Sequence, residues 1–128
     1  MPMTITEITT KGGRKVMRTF SEGTVGAAEA DQYRRVFAAG GTHFGWSTIS
    51  VSAKSAVLTQ EARKLFSQSD LMDPTAFTAL VLHSTVMRVT VGFLLKFRPS
   101  DQARICANEA EAEEWLDQVL ATKTHGPA

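Results

Sequence analysis

The sequence predicts an α/β domain, a mixed five-stranded sheet carrying four helices in the order β-β-α-β-α-β-α-β-α. Three observations lead there. Two short segments with strand-like alternation open the chain around the turn signal Lys11-Gly12-Gly13. From Ala27 onward, segments of helical spacing alternate with strand-like ones, the pattern of helices packed on a parallel or mixed sheet. Phe77 to Leu82 is almost continuously apolar, which suits a strand covered on both faces, as central parallel strands are.

Each element has its own justification. Met3 to Thr10 is rich in Thr and Ile, residues that strands favour. Arg14 to Phe20 alternates, with Val16 and Phe20 on one face, so the chain opens as a hairpin. Ser21 to Gly26 reads as loop. Ala27 to Ala39 reads as a helix, because Ala30, Tyr33 and Phe37 recur on one face of a 3.6-residue period. Gly40-Gly41 ends it, since glycine accepts the left-handed conformation past a helix C-terminus.

Trp46 to Val51 is the third strand, with Ile49 and Val51 on one face and Thr48 and Ser50 on the other. Thr59 caps a second helix from Gln60 to Gln68, whose stripe is Leu58, Ala62, Leu65 and Phe66. After the fourth strand, Ser84 caps a third helix, Thr85 to Phe97. Arg98-Pro99 stops it, because proline disfavours helical geometry in the residue before it. Ala103 to Ala107 is the last strand. Asn108 with Glu111 three residues on forms a capping-box pattern. Glu109, Glu111, Glu113 and Glu114 then crowd the first turns, where the helix dipole favours anions. Trp115, Leu116, Val119 and Leu120 form the inward face of this final helix. The domain is expected to span 1–121, with a frayed tail over 122–128.

Composition bounds the function. At 128 residues one domain is expected, burying roughly 68% of its unfolded surface without disulfide or metal. The apolar share is 43% and the charged share 21%, ordinary for a globular chain. A net charge of +1 and scattered basic residues give no field that draws nucleic acid or anionic lipid. Nucleic acid is therefore not an expected partner, and peripheral membrane contact has no support. The one cysteine, Cys106, lies in an apolar strand-like segment and reads as inert core packing. No run reaches the ~18 apolar residues of a membrane span, and no basic-then-apolar leader opens the chain. A cytoplasmic setting is the expectation.

The second half carries a resemblance. Leu58-Thr59-Gln60-Glu61-Ala62-Arg63, the apolar strand ending at His83-Ser84, and the apolar helix ending at Phe97-Arg98-Pro99 resemble the SpoIIAA-like (STAS/SEC14-related) bacterial family. Arg104-Ile105 and Glu109 to Leu116 resemble that family's last strand and helix. The likeness covers roughly residues 14–121, is best after Leu58, and rests mostly on fold signals. It implies a STAS-like α/β sandwich and a regulatory role, binding protein or lipid, without catalysis. Anti-anti-sigma members carry an Asp-Ser-Ser-type phosphorylation motif at a helix start. The corresponding loop here, Ser52-Ala53-Lys54-Ser55-Ala56-Val57-Leu58-Thr59, has hydroxyls and no acidic residue. Many relatives also keep an aspartate near the end of the third strand, where this chain has Ser50 and Ser52. These departures remove the basis for expecting a kinase-controlled switch.

Two regions are candidates for function. At about 100° per residue, Val86, Val89, Phe93 and Phe97 cluster on the third helix beside further apolar residues, and Arg88, Gly92 and Lys96 fill the remaining arc. So wide an arc exceeds what one sheet face needs. The surplus meets neighbouring helices, a homodimer or other protein partner, or a lipid-like ligand. The second region is the carboxyl edge of the sheet, where open α/β sheets bind ligands. Ser52, Lys54, Ser55, His83, Ser84 and Thr85 would gather there with the helix start at Asn108, a setting for a small anion. Simple helix capping explains Thr59, Ser84 and Asn108 equally.

No catalytic residue, cofactor or metal is expected. His43, His83 and His125 lack metal-ligand spacing, and no Gly-Lys-Ser/Thr phosphate loop is present. The alternative from another class is a small enzyme similar to tautomerases, in which Pro2, exposed by loss of Met1, serves as an N-terminal base. Those folds place a long helix soon after the first strand, where this chain has a turn and a second strand.

Overall fold

The computed structural model describes residues 3–66, 76–97 and 102–124. Pro2, Arg98, Pro99 and residues 125–128 lie outside them, as does the expected reach of the second helix to Gln68. The elements run β1 (Met3–Thr9), β2 (Lys15–Ser21), β3 (Thr24–Val25), α1 (Ala27–Phe37), β4 (Thr48–Ser52), β5 (Val57–Leu58), α2 (Gln60–Phe66), β6 (Thr78–Leu82), α3 (Thr85–Phe97), β7 (Ala103–Cys106) and α4 (Glu109–Thr124).

The five longer strands form one mixed sheet in the order β1-β2-β4-β6-β7. β1 and β2 pair antiparallel as the expected hairpin, and every later neighbour is parallel. Each long strand lies next to the one before it in sequence. β3 and β5, which the sequence does not announce, make a separate parallel pair. Two-residue strands are too short to show a period. This pair carries the backbone beyond Ser21 and Ser52 and is tied at its start by Val57 N–H donating to the Gly23 carbonyl (3.0 Å).

One sheet face, which we call the α4 face, is a continuous apolar floor. Val16, Ile49, Val51, Ala79, Val81 and Cys106 meet Ala112 and Leu116 there, all buried. Leu116 is wholly enclosed, which contributes about 1.5–3 kcal/mol relative to exposure. Trp115, Val119 and Leu120 pack at the margin of this core, half-buried. The inward face read for the final helix is correct. Its span is not: α4 runs through Thr124, so the first three residues of the expected tail belong to the helix.

The opposite face carries α1, α2 and α3, and its core is split in two. Tyr33 and Phe37 of α1 join Met3 and Met17, with Phe66 of α2 edge-on to Tyr33 at 5.4 Å between ring centroids. Separately, Met87 of α3 joins Ala56 and Leu82, with Leu80 and Val91 beside them. α1 ends at Phe37, two residues earlier than the sequence implies, because Ala38 is already extended (ψ 168°). Gly40 then turns at φ +83°, and a Cβ on Gly41 would stand 2.6 Å from the Val36 carbonyl oxygen. Both glycines are therefore required by the turn. β4 begins at Thr48, two residues later than the alternation implies, because Trp46 packs with the α1 cluster and stacks edge-on with His43.

Candidate functional site

The carboxyl ends of β4 and β6 do come together. His83 N–H donates to the Ser52 carbonyl (2.9 Å). Ser84, buried in the loop after β6, donates its hydroxyl to the Ala56 carbonyl (2.8 Å) and accepts from Met87 N–H (3.1 Å). It thus joins the two loops and caps α3. Ser55 Oγ accepts from Gly23 N–H (3.0 Å). Thr59 Oγ1 accepts from Ala62 N–H (3.1 Å), and Asn108 Oδ1 from Glu111 N–H (2.8 Å). Ser52 is buried, while Lys54, Ser55, His83 and Thr85 are exposed. The hydroxyls of Ser84 and Thr59 and the amide of Asn108 are each committed to the start of their own helix.

The third helix divides more sharply than its composition implies. Met87 is buried and Val91 half-buried against β6 and β5. Val86, Val89 and Phe93 occupy the opposite face, 54%, 70% and 60% exposed. Phe97 closes the helix, and its side chain lies outside the described residues. Arg88 turns back toward the sheet, its Nε donating to the Leu82 carbonyl (2.7 Å). The exposed stripe is therefore mainly apolar over two turns, with half-buried Thr90 set between Val86 and Phe93.

A third feature escapes the sequence reading. On the α1–α3 face, the centre of the sheet is paved with hydroxyls. Thr19, Ser50, Leu80 and Ile105 form one row across β2, β4, β6 and β7, and Met17, Thr48, Thr78 and Ala103 form the row beside it. Thr19 Oγ1 donates to Ser50 Oγ (3.0 Å). Thr48 is fully buried and its Oγ1 has no hydrogen-bond partner among the described residues. The signal was present: Thr48, Ser50 and Ser52 alternate through a central strand, where apolar side chains are the rule for a parallel sheet.

Arg18 on β2 binds Glu109 at the start of α4 through Nε (2.7 Å) and Nη2 (3.3 Å). That hydrogen bond holds the Glu109 carboxyl below its usual range and the Arg18 guanidinium above its own, each against a smaller effect of burial. Burial first, then the charge of Glu111, pushes the Cys106 thiol up. Among the described residues no three His, Cys, Asp or Glu side chains are placed to hold a metal ion, and no helix is long and apolar enough to cross a membrane. Comparison with protein families, curated proteins and solved structures finds no match to this chain.

Proposed function

We infer that this chain is a non-catalytic binding module of SpoIIAA-like type that acts by docking on another polypeptide, in the first instance a second copy of itself. The apolar stripe of α3 carries this reading. Three large apolar side chains at Val86, Val89 and Phe93 face away from the sheet, each more than half exposed, whereas isolated exposed apolar residues need no explanation. Their spacing gives the i, i+3, i+7 anchors by which helices seat on partners. The five-stranded mixed sheet with helices on both faces is consistent with the architecture that the resemblance implies.

The test is native mass. Light scattering on the wild-type chain is expected to give a dimer, and Phe93→Asp a monomer with unchanged circular dichroism. A surface replacement at so exposed a site costs the fold within about 0.5 kcal/mol. A wild-type chain that stays monomeric at high micromolar concentration overturns the self-docking reading.

A further inference from the structure

We propose that the hydroxyl-paved centre of the sheet, on the face that carries α1 and α3, is a binding site for a small uncharged amphiphile with one hydrogen-bonding head. This goes beyond the docking reading and rests on other residues.

The first observation is the orphan. Thr48 Oγ1 is wholly enclosed with no partner among the described residues, and a buried hydroxyl left unpaired costs about 1–3 kcal/mol. Such a group calls for an occupant that can pair with it. The second is the opening. Ser50 lies on β4, the middle strand of five, yet its side chain is only half-buried. Thr78 and Leu80, next to it on β6, are half-buried too, and Ile105 at the sheet edge is 44% exposed. The third is the divided core: one apolar cluster forms on the β1–β2 side and another around Leu82, with the hydroxyl rows between them. α2, which connects β4 to β6, packs through Phe66 on Tyr33 of α1. Among the described residues it joins no apolar cluster with β4.

The chemistry of the floor selects the ligand. Thr48 Oγ1 and Ser50 Oγ both donate and accept, so the head can be an alcohol, an amide or a ketone. None of Thr19, Thr48, Ser50, Thr78 or Leu80 carries charge, so a carboxylate or phosphate head would lose water without gaining a cation. Leu80 and Ile105 extend the floor in an apolar direction toward the β7 edge. From β4 to β7 is two interstrand steps, roughly 10 Å at about 4.8 Å each, which suits a short alkyl or single-ring body.

The experiment is a titration of the isotope-labelled full chain with 1-octanol, followed by amide shifts. Saturable shifts are expected at residues 48–50 and 78–80. Thr48→Val should weaken binding about tenfold, the loss of one buried hydrogen bond. Without ligand, the same variant should melt no lower than wild type, since its isosteric methyl needs no partner. Octanoate should bind at least tenfold more weakly than octanol. Should Thr48→Val fail to fold, Ser50→Ala is expected to show the same weakening. Phe93→Asp should leave octanol binding intact, which separates this site from the α3 stripe. Shifts confined to Val86, Val89 and Phe93, no saturation, or full affinity in the folded hydroxyl variant would each overturn the proposal.

Discussion

Arg18 and Glu109, which are 91 residues apart in the chain, meet through two hydrogen bonds, so the first turn of α4 is fixed to the second strand of the sheet. Phe20 supports the arginine from the same strand face, with its ring 5.5 Å from the guanidinium carbon. Helix start and arginine both favour the ionised carboxylate. Because the Glu109 carboxyl is held below its unfolded value, its contribution is complete above the usual glutamate range. It is lost as pH falls through the depressed value. The side chains are 28% and 43% exposed, so solvent limits the pair to about 1 kcal/mol or less. Urea unfolding of Glu109→Gln should show a small loss at neutral pH that vanishes in acid. A constant difference across that range would refute the assignment.

A second fastening lies at the hairpin. Asp117 accepts from Thr10 Oγ1 (2.6 Å) and Gly12 N–H (3.0 Å), and Arg14 stands 3.5 Å away. A Cβ on Gly12 would fall 2.7 Å from the Asp117 carboxyl carbon. Gly12→Ala is therefore expected to push the carboxylate off its donors and destabilise by about 1–3 kcal/mol. Asp117→Ala should cost a similar amount, and the double variant little more than either alone. Additive losses in that cycle would mean the glycine acts independently of the aspartate.

Ser84→Ala removes two bonds at once, the cap of α3 and the bridge to the Ala56 carbonyl. A loss of about 1–2 kcal/mol is expected from denaturant melts. Hydrogen exchange should quicken at Met87 and Arg88. If those amides stay protected, the cap contributes less than its geometry implies.

Cys106 is 3% exposed, and burial raises its thiol pKa. Alkylation of the folded chain by iodoacetamide at neutral pH should be at least a hundredfold slower than in urea, where thiolate and access are both restored. Rapid labelling of the folded chain would place the sulfur at the surface.

The fold was legible where periodicity is strong. Ala30, Tyr33 and Phe37 are all buried, as their spacing requires, and Val16 with Phe20 faces the α4 core as alternation requires. Boundaries were less legible, because packing decided them: Trp46 left β4 to join the α1 cluster. The β3–β5 pair left no period to read. At the candidate sites, the sequence marked the apolar surplus of α3 but not which of its faces would be wet. Met87 and Val91 are as apolar as Val86 and Val89, and only the position of β6 separates them. The rows of Thr48 and Ser50 were visible as a polar face. Their meaning waited on strand order, which put that face in the middle of the sheet.

The two fastenings of α4 bear on how the chain is made. The hairpin that holds Asp117 precedes α4 in the chain, and α4 leaves the ribosome after every strand it covers. Until then Ile49, Val51, Ala79 and Val81 present a bare greasy surface, the condition under which nascent chains clump. A stop codon or proteolytic cut ahead of Glu109 should therefore yield inclusion bodies, and a separately supplied α4 peptide would have to find both Arg18 and the hairpin to rescue them.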